Sequence, residues 1–220
     1  MSDITLYGPR ETPFVLKVEL ALLLKKLPYT LQAPRGPEDY LRWNPETGLL
    51  PVIDVDGTRV HDSAAILDYL DERFPDPPLE SSDPKVASSQ RRLESWAEQT
   101  LTFYWMNHLR ALVRTDEGTG DEKASLEPKG RLARLSRRKK APVVNLDEGL
   151  GKEVGGRLDD LVNFLGDRPF FYADQLSRAD LAVYSFLHNI PNAAGPEVAA
   201  AVEAREPLVE LMARVAAAVR

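Results

Sequence analysis

The hydrophobic residues of the first 79 positions follow a strand period and then a helix period. Ile4-Thr5-Leu6-Tyr7 alternates β-branched and aromatic residues, which predicts a short strand. Thr12 and Pro13 are a typical helix start, with Thr12 as N-cap and Pro13 in the first turn. The helix should run to about Lys26, and one face of it carries Phe14, Val18, Ala21 and Leu22.

The pattern then returns to strands before a second helix. Residues 28–31 predict a strand, and the proline- and glycine-rich residues 33–49 predict a loop. Residues 51–55 and 58–60 flank Asp56-Gly57, a strong tight-turn signal, and therefore predict a β-hairpin. A helical period follows Asp62-Ser63 as far as Phe74. This order predicts an α/β domain of sheet and helix layers.

A proline-rich stretch separates this region from a rear part that has only helical patterns. Residues 75–84 carry four of the prolines and little apolar content, which is typical of a linker. We place an N-terminal domain at 1–79, a linker at 80–86 and an all-α domain at 87–220. The helical patterns of this last part cover 86–115, 149–166, 178–190 and 197–220.

Residues 176–181 in the rear part carry the sequence signals of a well-capped helix N-terminus. Ser177 is the expected N-cap, and Asp180 stands at the third helical position, so the two residues should bond reciprocally to the first amides. Leu176 and Leu181 should pack together as a hydrophobic staple. We expect this segment to serve folding rather than chemistry.

Charge and composition narrow the possible functions. The chain has 220 residues and a net charge of -6, which argues against general nucleic-acid binding. No apolar run is long enough to span a bilayer, and no secretory signal is visible, so we expect a cytoplasmic location and no membrane partner. The basic segment 129–140 has two interpretations, a patch for an acidic partner or membrane surface, or a solvated stretch that balances the acidic residues before it.

The chain has no cysteine, which removes protein thiols from the candidate chemistry. Disulfides, thiolate metal sites and cysteine nucleophiles are excluded, so any thiol must be carried by a ligand. The three histidines, His61, His108 and His188, lie far apart in sequence, and we expect no metal site.

Three motifs in order resemble the cytosolic glutathione transferases over nearly the whole chain. They are residues 7–22 (YGPRETPFVLKVELAL), residues 44–74 (NPETGLLPVIDVDGTRVHDSAAILDYLDERF) and residues 176–187 (LSRADLAVYSFL). The first is similar to the tau, omega and related bacterial classes. The resemblance implies a thioredoxin-like glutathione-binding domain followed by an all-helical domain, with glutathione as substrate and no metal.

The resemblance places the thiol-activating residue at Thr12. A hydroxyl at a helix N-terminus, where the partial charge is positive, favours a thiolate, the reactive form of a thiol. Tau-like classes have serine and omega-like classes have cysteine there, so threonine keeps the donor and adds a methyl group. Thr12 is alternatively a plain helix cap. Tyr7 is the competing hydroxyl, and Arg10 in the same loop would add positive field.

The same resemblance implies where glutathione would bind. Leu50-Pro51 should have a cis peptide bond, so that the backbone of Leu50 can pair with the extended tripeptide. Ser63 should cap the following helix and bind a carboxylate, while Asp62 accepts from the ligand ammonium. Arg35 is the candidate for the glycine carboxylate, in a loop that does not align firmly.

The second substrate would be a small hydrophobic electrophile in a pocket between the domains. Tyr104, Trp105 and His108 are the predicted pocket residues, although core packing is the commoner reason for such a stripe on a helix. The implied reaction is conjugation or peroxide reduction, typically for detoxification, in a homodimer. The alternative is a non-catalytic glutathione-binding or protein-interaction module with the same fold. A thiol–disulfide exchange role is disfavoured because the chain has no cysteine.

Overall fold

The computed structural model describes residues 2–116, 146–194 and 196–220, with side chains omitted for 106–116, 146–152 and 190–197. The N-terminal domain is built on a four-stranded sheet of order β2-β1-β3-β4. Its strands are β1 (Ile4–Tyr7), β2 (Thr30–Gln32), β3 (Val52–Val55) and β4 (Thr58–His61). β1 pairs in parallel with β2, as the α-helical connection between them requires, and the other two pairings are antiparallel.

Helix α1 (Pro13–Leu24) connects β1 to β2. It is buried on almost every side, because it lies between the sheet and the rear domain. Thr12 is its N-cap, as predicted, and the Thr12 hydroxyl oxygen accepts from the Val15 amide. The helix ends at Lys25, whose ammonium donates to Asp71 and to the carbonyls of Phe74 and Pro77. Lys25 therefore ties the end of α1 to the start of the proline-rich stretch 75–84.

Helix α2 (Pro37–Trp43) corrects the sequence analysis, which placed only a loop at residues 33–49. Gly36 stands at its N-cap, Pro37 is in its first turn, and the acidic residues Glu38 and Asp39 suit its positive end. The helix is stabilised by tertiary packing, since its last residue, Trp43, is buried against the sheet. Helix α3 (Ser63–Arg73) then closes the N-terminal domain.

The rear domain is helical, as predicted. Its helices are α4 (Pro84–Asp116), α5 (Leu146–Leu165), α6 (Arg178–Ala194), α7 (Pro196–Glu203) and α8 (Glu206–Ala218). Helix α4 begins inside the stretch 80–86 that we assigned to the linker. The helical pattern over 197–220 corresponds to two helices, because the chain breaks between α7 and α8. Pro207 causes this break, since it lacks an amide hydrogen and its ring clashes with the preceding turn.

The core is continuous across both domains. Buried apolar side chains run from the sheet through α1 and α3 to α4, α5, α6 and α8. Within the described residues, no helix has the length and apolar content that crossing a membrane requires. The basic segment 129–140 lies outside the described residues.

Candidate functional site

A cavity opens beside the start of β3, the end of β4 and the starts of α1 and α3. Its volume is about 330 Å³. We call it the front cavity, and its lining consists of Phe14, Asn44, Glu46, Thr47, Leu49, Leu50, Pro51, His61, Asp62 and Ser63. Four residues predicted to bind glutathione therefore meet at one cavity: Leu50, Pro51, Asp62 and Ser63.

The loop before β3 forms one wall of the front cavity. The Leu50–Pro51 peptide bond is cis, as predicted. Asn44 is buried and organises this loop, because its side-chain amide donates to the Thr47 hydroxyl and, at 2.9 Å, to the Leu49 carbonyl. The buried Asn44 side chain thus fixes the backbone of the loop that places Leu50 at the cavity.

The start of α3 forms the opposite wall, and it corrects one assignment. Asp62, rather than Ser63, is the N-cap, and its Oδ1 accepts from the amides of Ala64 at 2.9 Å and Ala65 at 3.1 Å. Asp62 has φ +72°, a conformation that costs energy for a residue with a side chain. Ser63 is the first helical residue, and its hydroxyl donates to Glu98 Oε1 of α4 at 3.2 Å. The hydroxyl predicted to bind a carboxylate is therefore already hydrogen-bonded to one.

Glu98 belongs to a chain of buried charges between the domains. Lys17 of α1 donates to both Glu98 and Glu94, and the distance to Glu94 Oε1 is 2.6 Å. Glu94 also accepts from Arg178, which in turn donates to Asp68 and, at 3.1 Å, to the Ala64 carbonyl. A buried ion pair needs such dense mutual bonding to offset the loss of hydration. The chain of bonds leads from the first turn of α6 to the front cavity.

Thr12 lies at the start of α1, two residues before the cavity residue Phe14. The Thr12 hydroxyl donates to the Pro9 carbonyl at 3.0 Å and accepts from the Val15 amide at 3.4 Å. Gly8, with φ +149°, lets the loop pass close to this helix, because a Cβ at Gly8 would stand 2.4 Å from Val15 Cγ2. Thr12 is thus a helix cap in this structure, its single hydroxyl hydrogen is donated to Pro9, and it is not among the residues that line the front cavity.

Arg10 contacts a buried carboxylate rather than the front cavity. Its guanidinium donates to both oxygens of Glu19, and Tyr29 donates its hydroxyl to the same carboxylate at 2.5 Å. Burial, together with the bond to Glu19, raises the pKa of Tyr29 to about 12, so the phenol stays protonated. The added positive field expected from Arg10 is largely neutralised by Glu19.

Two other predicted residues lie apart from the front cavity lining. The Tyr7 ring packs against Trp43 of α2 with 4.9 Å between ring centroids, and the Arg59 guanidinium lies over it. Tyr7 therefore occupies the sheet face opposite the buried Leu6. Arg35 is exposed and lines a neighbouring depression, which shares Thr47 with the front cavity.

The predicted co-substrate residues separate into different environments. Tyr104 is buried in the helical core, where burial raises the pKa of its phenol. Trp105 is half-buried and meets Phe14 edge-on, with 6.5 Å between centroids, so it contacts a lining residue of the front cavity without being part of the lining. Phe14 also packs against Phe186 of α6 at 5.5 Å. The side chain of His108 lies outside the described residues.

Sequence reasoning missed Glu98, Asn44 and His61. Glu98 is four residues after Glu94 on α4, and this spacing places both carboxylates on one helix face, a usable signal. Asn44 and His61 stand next to predicted elements, but no pattern distinguishes them from ordinary loop and strand residues. Over the ranges that the structure describes, no group of three or more histidine or acidic side chains could hold a metal ion.

Comparisons with known proteins agree with this architecture. Residues 12–73 match the family described as "Glutathione S-transferase, N-terminal domain". Residues 145–219 match "Glutathione S-transferase, C-terminal domain". Together the two matches cover more than half of the chain.

Individual relatives are similar at modest identity. Glutathione S-transferase U17 of Arabidopsis thaliana is 28% identical over 190 residues, which cover 84% of this chain and 73% of the relative. The isoprene-epoxide–glutathione S-transferase of Rhodococcus sp. (strain AD45) is 27% identical over 218 residues, covering 85% and 86%.

Solved structures show the same fold over almost the full length. The tau-class glutathione S-transferase of mango, Mangifera indica, has a TM-score of 0.66 and 19% identity, covering 98% of this chain and 89% of its own. A glutathione S-transferase from Rhodospirillum rubrum F11 has a TM-score of 0.64 and 24% identity, covering 94% and 91%. With both domain matches in order and both domains folded as expected, the chain belongs to the glutathione S-transferase family.

Proposed function

We propose that this protein is a glutathione transferase that binds glutathione in the front cavity and activates its thiol at Thr12. The observation that supports this most strongly is the convergence of the cis Leu50–Pro51 loop with the start of α3 at one cavity. A backbone edge and a helix N-terminus are complementary to an extended peptide that ends in an α-amino acid group.

In this proposal the γ-glutamyl end of glutathione lies at the start of α3. The Ser63 amide and the Ser63 hydroxyl, which turns away from Glu98 to do so, bind its carboxylate, and Asp62 or the released Glu98 accepts from its ammonium. Asp62 Oδ1 is occupied by capping, whereas Oδ2 is the oxygen offered to a ligand. Leu50 pairs with the cysteinyl backbone, and Arg35 is the proposed partner of the glycine carboxylate.

The sulfur then lies near the start of α1. The Thr12 hydroxyl rotates about its Cβ–Oγ1 bond, so that its hydrogen leaves the Pro9 carbonyl and donates to the thiolate. The positive end of α1 adds to the stabilisation. Tyr7 is the alternative donor, but its ring packing against Trp43 favours Thr12.

The second substrate is a small hydrophobic electrophile beside Phe14 and Trp105. The thiolate sulfur attacks an electrophilic carbon, a C–S bond forms, and the leaving group or the opened epoxide oxygen takes the electron pair. The Rhodococcus relative is named for an epoxide substrate, which makes epoxides the first class to test. Tyr104 and His108 remain candidates for this pocket, and peroxide reduction is the alternative reaction.

The proposal includes a detoxification role, a cytoplasmic location and a homodimer. Leu41 and Leu49 are large apolar side chains left exposed on one chain, which is consistent with a partner subunit on the N-terminal domain. No membrane or nucleic-acid partner is proposed.

The first experiment follows the ultraviolet absorbance of the glutathione thiolate during a pH titration with the protein. We expect a bound thiol pKa at least about 1 unit below the free value of about 8.5. Thr12→Ala should return this pKa towards the free value and lower kcat about 10- to 100-fold. Thr12→Ser, which keeps both cap and donor, should retain activation, and Tyr7→Phe should change little.

The outcomes separate the candidate functions. Loss of activation in Tyr7→Phe but not in Thr12→Ala would move the donor role to Tyr7. Binding of glutathione with an unshifted thiol pKa would instead indicate a glutathione-binding module without turnover. Absence of binding would contradict the assignment of the front cavity.

A further inference from the structure

Arg10, Glu19 and Tyr29 form a polar cluster behind the loop that carries Thr12. The Arg10 side chain is 63% exposed, whereas that of Glu19 is 1% exposed. An exposed guanidinium thus reaches inward to a buried carboxylate, and the Arg10 Nε lies 3.0 and 2.8 Å from its two oxygens. Tyr29, just before β2, donates its hydroxyl to the same carboxylate. We call these three residues the loop clamp.

Three further hydrogen bonds hold the loop between β1 and α1. The Gly8 amide donates to the Gln32 carbonyl of β2 at 3.0 Å. The Pro9 carbonyl accepts from both the amide and the hydroxyl of Thr12, at 3.1 and 3.0 Å. Arg10 is the next residue after Pro9, so its bonds to Glu19 fix where the Pro9 carbonyl lies relative to the Thr12 oxygen.

We propose that the loop clamp positions the Thr12 hydroxyl for thiol activation, with Arg10 and Glu19 as positioning residues. This inference rests on the proposed function, because it assigns a purpose to Thr12. Glu19 lies on α1 itself, two turns after Thr12, so the clamp ties the loop to the same helix whose N-terminus faces the sulfur. The loop and the helix end therefore move as one body.

If the loop clamp positions Thr12, loosening it should affect glutathione binding and thiol activation differently. The residues proposed to bind glutathione line the front cavity or, in the case of Arg35, the neighbouring depression, and the three clamp residues line neither. Loosening the clamp should therefore leave KM for glutathione nearly unchanged while kcat falls and the bound thiol pKa rises. Small displacements of a catalytic group are known to be costly in rate.

The test compares variants of the full-length protein. Arg10→Met removes the guanidinium but keeps much of the side-chain length, and Glu19→Gln removes the charge but keeps an acceptor for Tyr29. Arg10→Lys keeps the charge and should rescue part of the loss. Arg214→Met is the matched control, since Arg214 pairs with Glu210 on the last helix, far from the loop in sequence.

We expect kcat of Arg10→Met to fall about 5- to 20-fold, with KM for glutathione within about 2-fold of the parent value. The bound thiol pKa should rise with the fall in kcat, and Arg214→Met should change neither. A purely structural role would lower thermal stability alone. Unchanged kcat and thiol pKa in both Arg10→Met and Glu19→Gln would overturn the proposal.

A measurement without glutathione separates this inference from the proposed function. Hydrogen exchange of the Thr12 amide, which donates to Pro9, reports loop position in the free protein. Faster exchange of the Thr12 amide in Arg10→Met than in Arg214→Met supports the role of the loop clamp. If the parent protein then shows no thiol activation, the proposed function has failed while the loop clamp stands. Equal exchange rates in the two variants overturn the clamp.

Discussion

Asp180 is a carboxylate enclosed by the protein at the start of α6. It is fully buried and accepts from the Phe171 amide, the Ser177 amide and the Ser177 hydroxyl at 2.7–2.8 Å. Asp180 reaches back to the Ser177 amide as predicted, but the Ser177 hydroxyl bonds to Asp180 instead of the helix amide. Burial nevertheless raises the pKa of Asp180 to about 6, against the lowering effect of these bonds.

This raised pKa predicts a pH-dependent contribution to stability. Because the folded-state pKa lies above the usual value of 3.8, the contribution is complete below about pH 4 and is lost as pH rises through about 6. The free energy of unfolding of the parent protein, minus that of Asp180→Asn, should fall by about 1–3 kcal/mol between pH 4 and pH 7. Urea denaturation at each pH measures it, and a difference that grows with pH would contradict the prediction.

Some residues of the site were predictable from the sequence because their roles are local. Thr12 before a proline is recognisable as a cap position, and a proline that opens a strand points to the backbone beside it. Asp62-Ser63 is recognisable as a helix start, but the sequence favours Ser63 as the cap, whereas the structure has Asp62 there. The bond from Ser63 to Glu98 joins residues 35 apart in sequence, so no local pattern contains it. Arg10 likewise has an ordinary loop position, and only the fold shows that Glu19 takes its charge.

Helix α3 begins at a residue that serves both folding and the proposed binding. Asp62 caps the helix through Oδ1, and its positive φ turns the chain sharply from β4 into the helix. An N-cap contact of this kind contributes about 1 kcal/mol. The cap needs only one acceptor oxygen on the side chain, whereas the proposed contact with an ammonium needs the negative charge of the carboxylate. Substitutions that remove one of these and keep the other can therefore separate the two roles.

We expect Asp62→Asn to keep the cap and Asp62→Ala to lose it. The asparagine oxygen can still accept from Ala64, and asparagine tolerates positive φ, so stability should change by less than about 0.5 kcal/mol. The alanine variant should lose about 1–2 kcal/mol. Both should bind glutathione more weakly than the parent protein, as measured by calorimetry. Full affinity in Asp62→Asn would show that the carboxylate charge has no part in binding.

The elements that sequence patterns predicted are those whose period agrees with their packing. β1, the hairpin and α3 alternate or repeat as their burial requires. The predicted bounds of β1 are the observed ones, and those of the hairpin strands and α3 differ by at most one residue at each end. Helix α2 was missed because its flanking prolines and glycines dominate the local composition, although Trp43 is buried by tertiary contacts. In the last helices, Pro207 was the available signal for the break, but the apolar period continues across it.

At the scale of the whole molecule, the two domains meet through charge as well as apolar packing. Lys17 and Asp68 come from the N-terminal domain, whereas Glu94, Glu98 and Arg178 come from the rear domain. The side chains of Lys17, Glu94 and Arg178 are 1%, 4% and 2% exposed. Each is charged and removed from water, so the arrangement is stable only while all partners are present.

Removing one member should therefore cost more than removing a complementary pair. Glu94→Leu leaves Lys17 and Arg178 buried with fewer acceptors, and we expect a loss of about 3–5 kcal/mol in the free energy of unfolding, measured with urea. The double variant Lys17→Met with Glu94→Leu should recover part of that loss, because one uncompensated cation is removed with its partner. Glu210→Gln, which breaks an exposed pair on α8, is the control and should change stability little. Equal losses for Glu94→Leu and Glu210→Gln would mean that the interface is held by apolar contacts, with the buried charges contributing nothing to the docking of the domains.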